Sequence, residues 1–72
     1  MALFGGPTGF EIYDRIVAGA PRVLRPGGWL MMELGFGSLP HVQALLSSWE
    51  NVVIHPDLAG IPRVIAARIP NL

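Results

Sequence analysis

The sequence predicts an α/β fold in the order helix, strand, helix, strand, strand. An apolar stripe at helical spacing runs from Phe10 to Leu24, an uninterrupted apolar stretch from Trp29 to Met32 opens a strand-like run over 29–34, and a β-branched run at 52–54 and a later run at 64–69 also read as strands.

Thr8 and Glu11 have capping-box spacing, in which hydroxyl and carboxylate each satisfy a backbone N–H left free at a helix start, so a helix is expected to begin there. Phe10, Tyr13, Ile16, Val17, Ala20 and Leu24 make its apolar stripe, with Glu11, Asp14, Arg15, Arg22 and Arg25 mostly off it. Pro21 interrupts the stripe. Proline in a helix interior costs about 3 kcal/mol, so the last turn is expected to kink or to start separately at Pro21. Pro26-Gly27-Gly28 then turns the chain, proline fixing φ and glycine accepting a positive one.

Trp29-Leu30-Met31-Met32-Glu33-Leu34 reads as a strand, and because its apolar residues are continuous both of its faces are expected to be buried, as in parallel sheets. Ser38 with Pro40 marks a second helix start, after which Leu39, Val42, Leu45, Leu46 and Trp49 share one face. The runs Val52 to Ile54 and Val64 to Ile69, joined through Pro56, Asp57, Gly60 and Pro62, are expected to pair as an antiparallel hairpin. No repeat or linker divides this order. Residues 1–72 therefore read as a single partial domain, the last part of an α/β domain.

Composition narrows the function classes. The 72 residues are 51% hydrophobic and 14% charged, an apolar excess for so small a domain, and something else is expected to cover part of it. There is no cysteine, and His41 and His55 lie far apart without a carboxylate spaced to join them, so neither a disulfide nor a metal staple is expected. The net charge is zero and all five cations are arginine, which gives no basic field for nucleic acid or anionic lipid. The apolar run from Trp29 to Met32 falls far short of the ~20 residues that span a bilayer, and a cytoplasmic location follows by default.

No set of residues stands out as a catalytic, cofactor-binding or metal-ligating site. Gly5-Gly6-Pro7-Thr8-Gly9 lacks the preceding strand and the lysine of a phosphate loop and reads as an entry loop. Gly27-Gly28 follows a helix and precedes a strand, the wrong order for an anion site at a helix N-terminus. Glu33, near the carboxyl end of the first strand where open α/β sheets bind ligands, is the best single candidate for a place near a site. Without a positioned partner it reads as a carboxylate bonded to backbone or facing solvent. His41, in the first turn of the second helix, and His55, at a strand end, read as surface histidines. Ser47 and Ser48 fall late in a helix and not at a nucleophile elbow. Asp57 and Arg63 read as an ion pair across the Gly60 turn. Trp29 and Trp49 read as packing residues.

Several segments resemble the HemK-type protein-glutamine N5-methyltransferases. Ala2-Leu3-Phe4-Gly5-Gly6-Pro7-Thr8-Gly9-Phe10 is similar to that family's Ala-Leu-x-Gly-Gly-x-x-Gly-Leu segment, and Tyr13-Asp14-Arg15-Ile16 to the helix that follows. Leu24-Arg25-Pro26-Gly27-Gly28-Trp29-Leu30 and Glu33-Leu34-Gly35 resemble its Leu-Lys-Pro-Gly-Gly turn and Glu-Ile-Gly strand end. Asp57-Leu58-Ala59-Gly60 with Arg63-Val64 resembles its closing hairpin, whereas Gly37-Ser38-Leu39-Pro40 stands where members often carry a glutamine.

The resemblance implies the C-terminal portion of a Rossmann-like class I methyltransferase sheet, in a family that uses S-adenosylmethionine to methylate a glutamine of peptide-chain release factors. The family's glycine-rich cofactor loop and Asn-Pro-Pro-Tyr motif lie upstream of the matched part. No catalytic or cofactor residue carries over, and the chain alone is expected neither to bind the cofactor nor to catalyse. Its implied partner is the missing N-terminal part of such an enzyme, with a release factor as substrate. The contrasting expectation is a non-catalytic interaction module that binds a partner protein through its sheet edge.

Overall fold

The structure is a computed structural model that describes residues 9–70. The elements follow the expected order: α1 (Glu11–Val23), β1 (Trp29–Glu33), α2 (Leu39–Leu45), β2 (Glu50–Pro56) and β3 (Pro62–Arg68). Thr8, and with it the capping box and most of the 5–9 glycine segment, lies outside the described residues. Phe10 occupies the N-cap position of α1.

Pro21 does not start a separate turn. α1 runs through it to Val23, and the Leu24 N–H closes the helix on the Ala20 carbonyl at 2.9 Å. Proline removes the bond its own N–H would have made to the Val17 carbonyl, and because the helix ends within a turn, little of the ladder is lost. The following turn closes with the Gly28 N–H on the Arg25 carbonyl at 2.9 Å. Pro26 fixes the first central position and Gly27, at φ 78°, takes the second, as a type II turn requires.

The sheet has the order β1-β3-β2, with β3 antiparallel to both neighbours, so β1 and β2 run in the same direction. The β2–β3 pairing is the hairpin the sequence predicted. Along β1 the register is unbroken from Trp29↔Arg68 to Glu33↔Val64, whereas β2 shifts register near both ends and carries Asn51 at φ 52°. Among the described residues the far edge of β1 pairs with no strand.

Both helices pack on one face of the sheet. Val17 of α1, Val42 of α2 and Leu46, the residue that caps α2, meet Met32, Leu34, Ile65 and Ala67 in a single core cluster, with Leu39, Leu45 and Trp49 packed against it. The amphipathic face read for the second helix is therefore the buried one. The expectation for 29–34 is corrected: Leu30 and Met32 turn to the helices, but Met31 is 67% exposed and Trp29 51%. Strand side chains alternate, and among the described residues no layer lies on the second face, where Trp29, Met31, Val53 and Ala66 fall in register. Trp29 accordingly does not pack in the core; the Arg68 guanidinium lies 5.8 Å from its ring centre.

Ile65 has no solvent exposure and faces the core from the middle strand. Ile65→Ala is expected to cost about 2–5 kcal/mol, comparable to the whole stability of a domain this size, and to abolish the cooperative unfolding transition followed by circular dichroism.

Candidate functional site

The carboxyl ends of β1 and β2 open on the same side because the strands run in the same direction, and this is where α/β sheets place ligands. Two segments leave the sheet there: 34–38 after β1 and 57–61 after β2. Between them lies a hollow of about 420 Å³ lined by Leu34, Gly35, Phe36, Gly37, Leu39, Ile61, Pro62 and Arg63. Its size is within the range of small-ligand sites, which is about 300–1,000 Å³.

Tyr13 fixes the first segment. Its hydroxyl accepts the Gly35 N–H at 2.8 Å and donates to the Glu33 carbonyl at 3.1 Å, tying α1 to the point where the chain leaves β1. Gly37, at φ 74°, reverses the backbone before α2. Ser38 stands at the N-cap of α2, the helix start read from the sequence, and is fully buried, its hydroxyl donating back to the Gly35 carbonyl at 2.8 Å instead of accepting an N–H of the helix. Phe36 projects from this segment fully exposed.

Asp57 organises the second segment. One carboxylate oxygen accepts the N–H groups of Ala59 and Ile61, both at 2.9 Å, and the other accepts Arg63 Nε at 2.8 Å. The ion pair read from the sequence is therefore present, with two backbone bonds added. The Ile61 N–H, then Arg63, and more weakly the Ala59 N–H hold the Asp57 carboxyl below its ordinary value of 3.8, against a smaller opposing effect of burial. Leu58, in the same turn, is fully exposed.

The other candidates disperse. Glu33 is exposed, and at this strand end its backbone carbonyl accepts from the Tyr13 hydroxyl. His55 lies on β2 in register with Val64 and is exposed, and Ser47 and Ser48 are exposed after α2. His41 is corrected: it is half-buried, with Nε2 2.6 Å from Asp14 Oδ1 and its ring 5.4 Å from that of Phe10. This pair joins the two helices across 27 positions, a separation that local spacing cannot reveal. Among the described residues no hydrogen bond joins Glu33, His41 and His55, and no group of three His, Cys, Asp or Glu could hold a metal ion. No helix among them is long and apolar enough to cross a membrane.

No family model and no solved structure matches the chain. Curated proteins do. A release factor glutamine methyltransferase of Koribacter versatilis is 41% identical over 70 residues, covering 97% of this chain and 25% of that protein. The chain is similar to the C-terminal part of release factor glutamine methyltransferases. The methyltransferase of Geobacter sulfurreducens is 43% identical over 70 residues, 94% of this chain and 25% of its own length. That of Synechocystis is 37% identical over 71 residues, 94% and 24%. The chain thus spans about a quarter of the length of the methyltransferases it matches.

Two outcomes check this geometry. Tyr13→Phe leaves the Gly35 N–H without its acceptor, and exchange of that amide is expected to speed up roughly five-fold, the equivalent of about 1 kcal/mol, in native-state hydrogen exchange. Because the folded state depresses the Asp57 carboxyl, its contribution is present above pH 3.8 and is lost as pH falls through the lower folded value. The urea midpoints of the natural chain and Asp57→Asn should therefore differ at neutral pH and converge in acid.

Proposed function

We propose that these residues are the C-terminal part of an S-adenosylmethionine-dependent methyltransferase that modifies a glutamine side chain of release factors, and that alone they transfer no methyl group. One observation carries the reading: 97% of the chain aligns with only 25% of a release factor glutamine methyltransferase. In this reading β1, β3 and β2 form one end of a larger Rossmann-like sheet.

The open edge of β1 supports it. α1 leads into β1 and, with Ile16, Val23, Trp29 and Met31, lines an apolar groove of about 300 Å³. A strand ahead of α1 would lie parallel to β1 by the right-handed crossover that such connections follow, and it would cover this groove. The missing N-terminal part is then the first partner of the chain.

Neither hollow fits the cofactor. The lining residues of each include one charged side chain, an arginine, and no carboxylate to receive ribose hydroxyls or to face an ammonium or sulfonium. Cofactor binding and the catalytic groups are accordingly assigned to the part outside the matched quarter.

The test is a fusion in which this chain replaces the matching quarter of the Koribacter versatilis methyltransferase. Transfer of a methyl group from S-adenosylmethionine to a release factor is expected from the fusion and not from the 72-residue chain. A folded fusion that binds the cofactor but transfers nothing would overturn the reading. A chain that captures a protein other than the N-terminal part of such an enzyme through β1 would favour the interaction module.

A further inference from the structure

The hollow at the carboxyl ends of β1 and β2 has features that the fold does not require. Its walls are apolar, from Leu34, Leu39, Ile61 and Pro62. Phe36 and Leu58 stand fully exposed on the two segments that leave this end of the sheet. Beside an apolar hollow these residues extend one apolar surface, the kind that marks an interaction site, and aromatic anchors are what protein interfaces concentrate.

One charge enters the wall. Asp57 grips Arg63 through Nε at 2.8 Å, which orients the guanidinium, and among the described residues no bond is made by its two terminal nitrogens. A guanidinium held in this way presents donors in the fork geometry that matches a carboxylate. The site thus combines an apolar hollow, exposed apolar residues and one directed cation, a set suited to a protein segment more than to a polar small molecule.

We infer that this hollow docks an extended segment of the protein substrate that carries an apolar side chain beside an aspartate or glutamate. The apolar side chain enters between Leu39 and Ile61, Phe36 covers it, and the carboxylate meets Arg63. The inference rests on the proposed function. It adds a substrate-docking role for this part of the chain, which holds none of the assigned chemistry.

The experiment is a titration of the isotope-labelled 72-residue chain with a bacterial release factor, followed by amide chemical shifts. Shifts are expected to concentrate at Phe36, Leu58, Ile61 and Arg63, and Phe36→Asp is expected to weaken binding on the order of ten-fold. Phe36 is fully exposed, so this substitution leaves the core intact. Shifts confined to β1, shifts that follow the chain's own concentration without release factor, or no shift would each overturn the inference. In the fusion, which also supplies the readout if the isolated chain gives a collapsed spectrum, Phe36→Asp should raise KM for the release factor about ten-fold and leave kcat and cofactor affinity unchanged. An active fusion whose KM ignores Phe36→Asp would sink the docking site and leave the proposed function standing. Release-factor binding to the fusion, with and without Phe36→Asp, reads the docking site even where no methyl group is transferred.

Discussion

β3 is last of the strands in sequence and central in the sheet, and the remaining architecture hangs on its two ladders. β1 and β2 run in the same direction and touch each other nowhere in the pairing order; each is held by bonds to β3. Ile65 and Ala67, buried in the middle of β3, are also the floor on which Val17, Val42 and Leu46 rest. Neither helix has a continuous apolar surface to pack on until β3 is in place. The contact that closes the sheet, Trp29 with Arg68, spans most of the described chain, and such distant pairings cost loop entropy before they return any stabilisation.

Much of this was legible in the residues. The stripe of Leu39, Val42, Leu45, Leu46 and Trp49 identifies the residues that α2 and the turn after it turn to the core, although the helix itself stops at Leu45, and the β-branched runs around Asp57 and Gly60 identify the hairpin. What escaped has physical causes. A proline one turn from a helix end removes a single bond, so Pro21 looks more disruptive in sequence than it is in place. The apolar run from Trp29 to Met32 signals burial on both faces, yet these residues cover only one; the pattern reports the environment for which the strand is suited.

The candidate site was legible to a lesser extent. Asp57 and Arg63 are near neighbours in sequence and their bond could be read. His41 with Asp14, and Tyr13 with Gly35, are pairs more than twenty positions apart, and nothing in local spacing announces them. Tyr13 belongs by its spacing to an apolar stripe, which hides that its hydroxyl is the brace for the end of β1. Glu33 had the right place in the sheet, but position at a strand end is not chemistry without a second group beside it.

The two rims of the sheet are not alike. β2 is interrupted by register shifts, a left-handed Asn51 and a terminal Pro56, devices that blunt a strand against further pairing. β1 has none of these and keeps a continuous ladder along its length. A sheet with one blunted and one receptive rim is self-limiting: two copies meeting through β1 would form a closed twofold pair, with no second sticky rim from which a filament could grow.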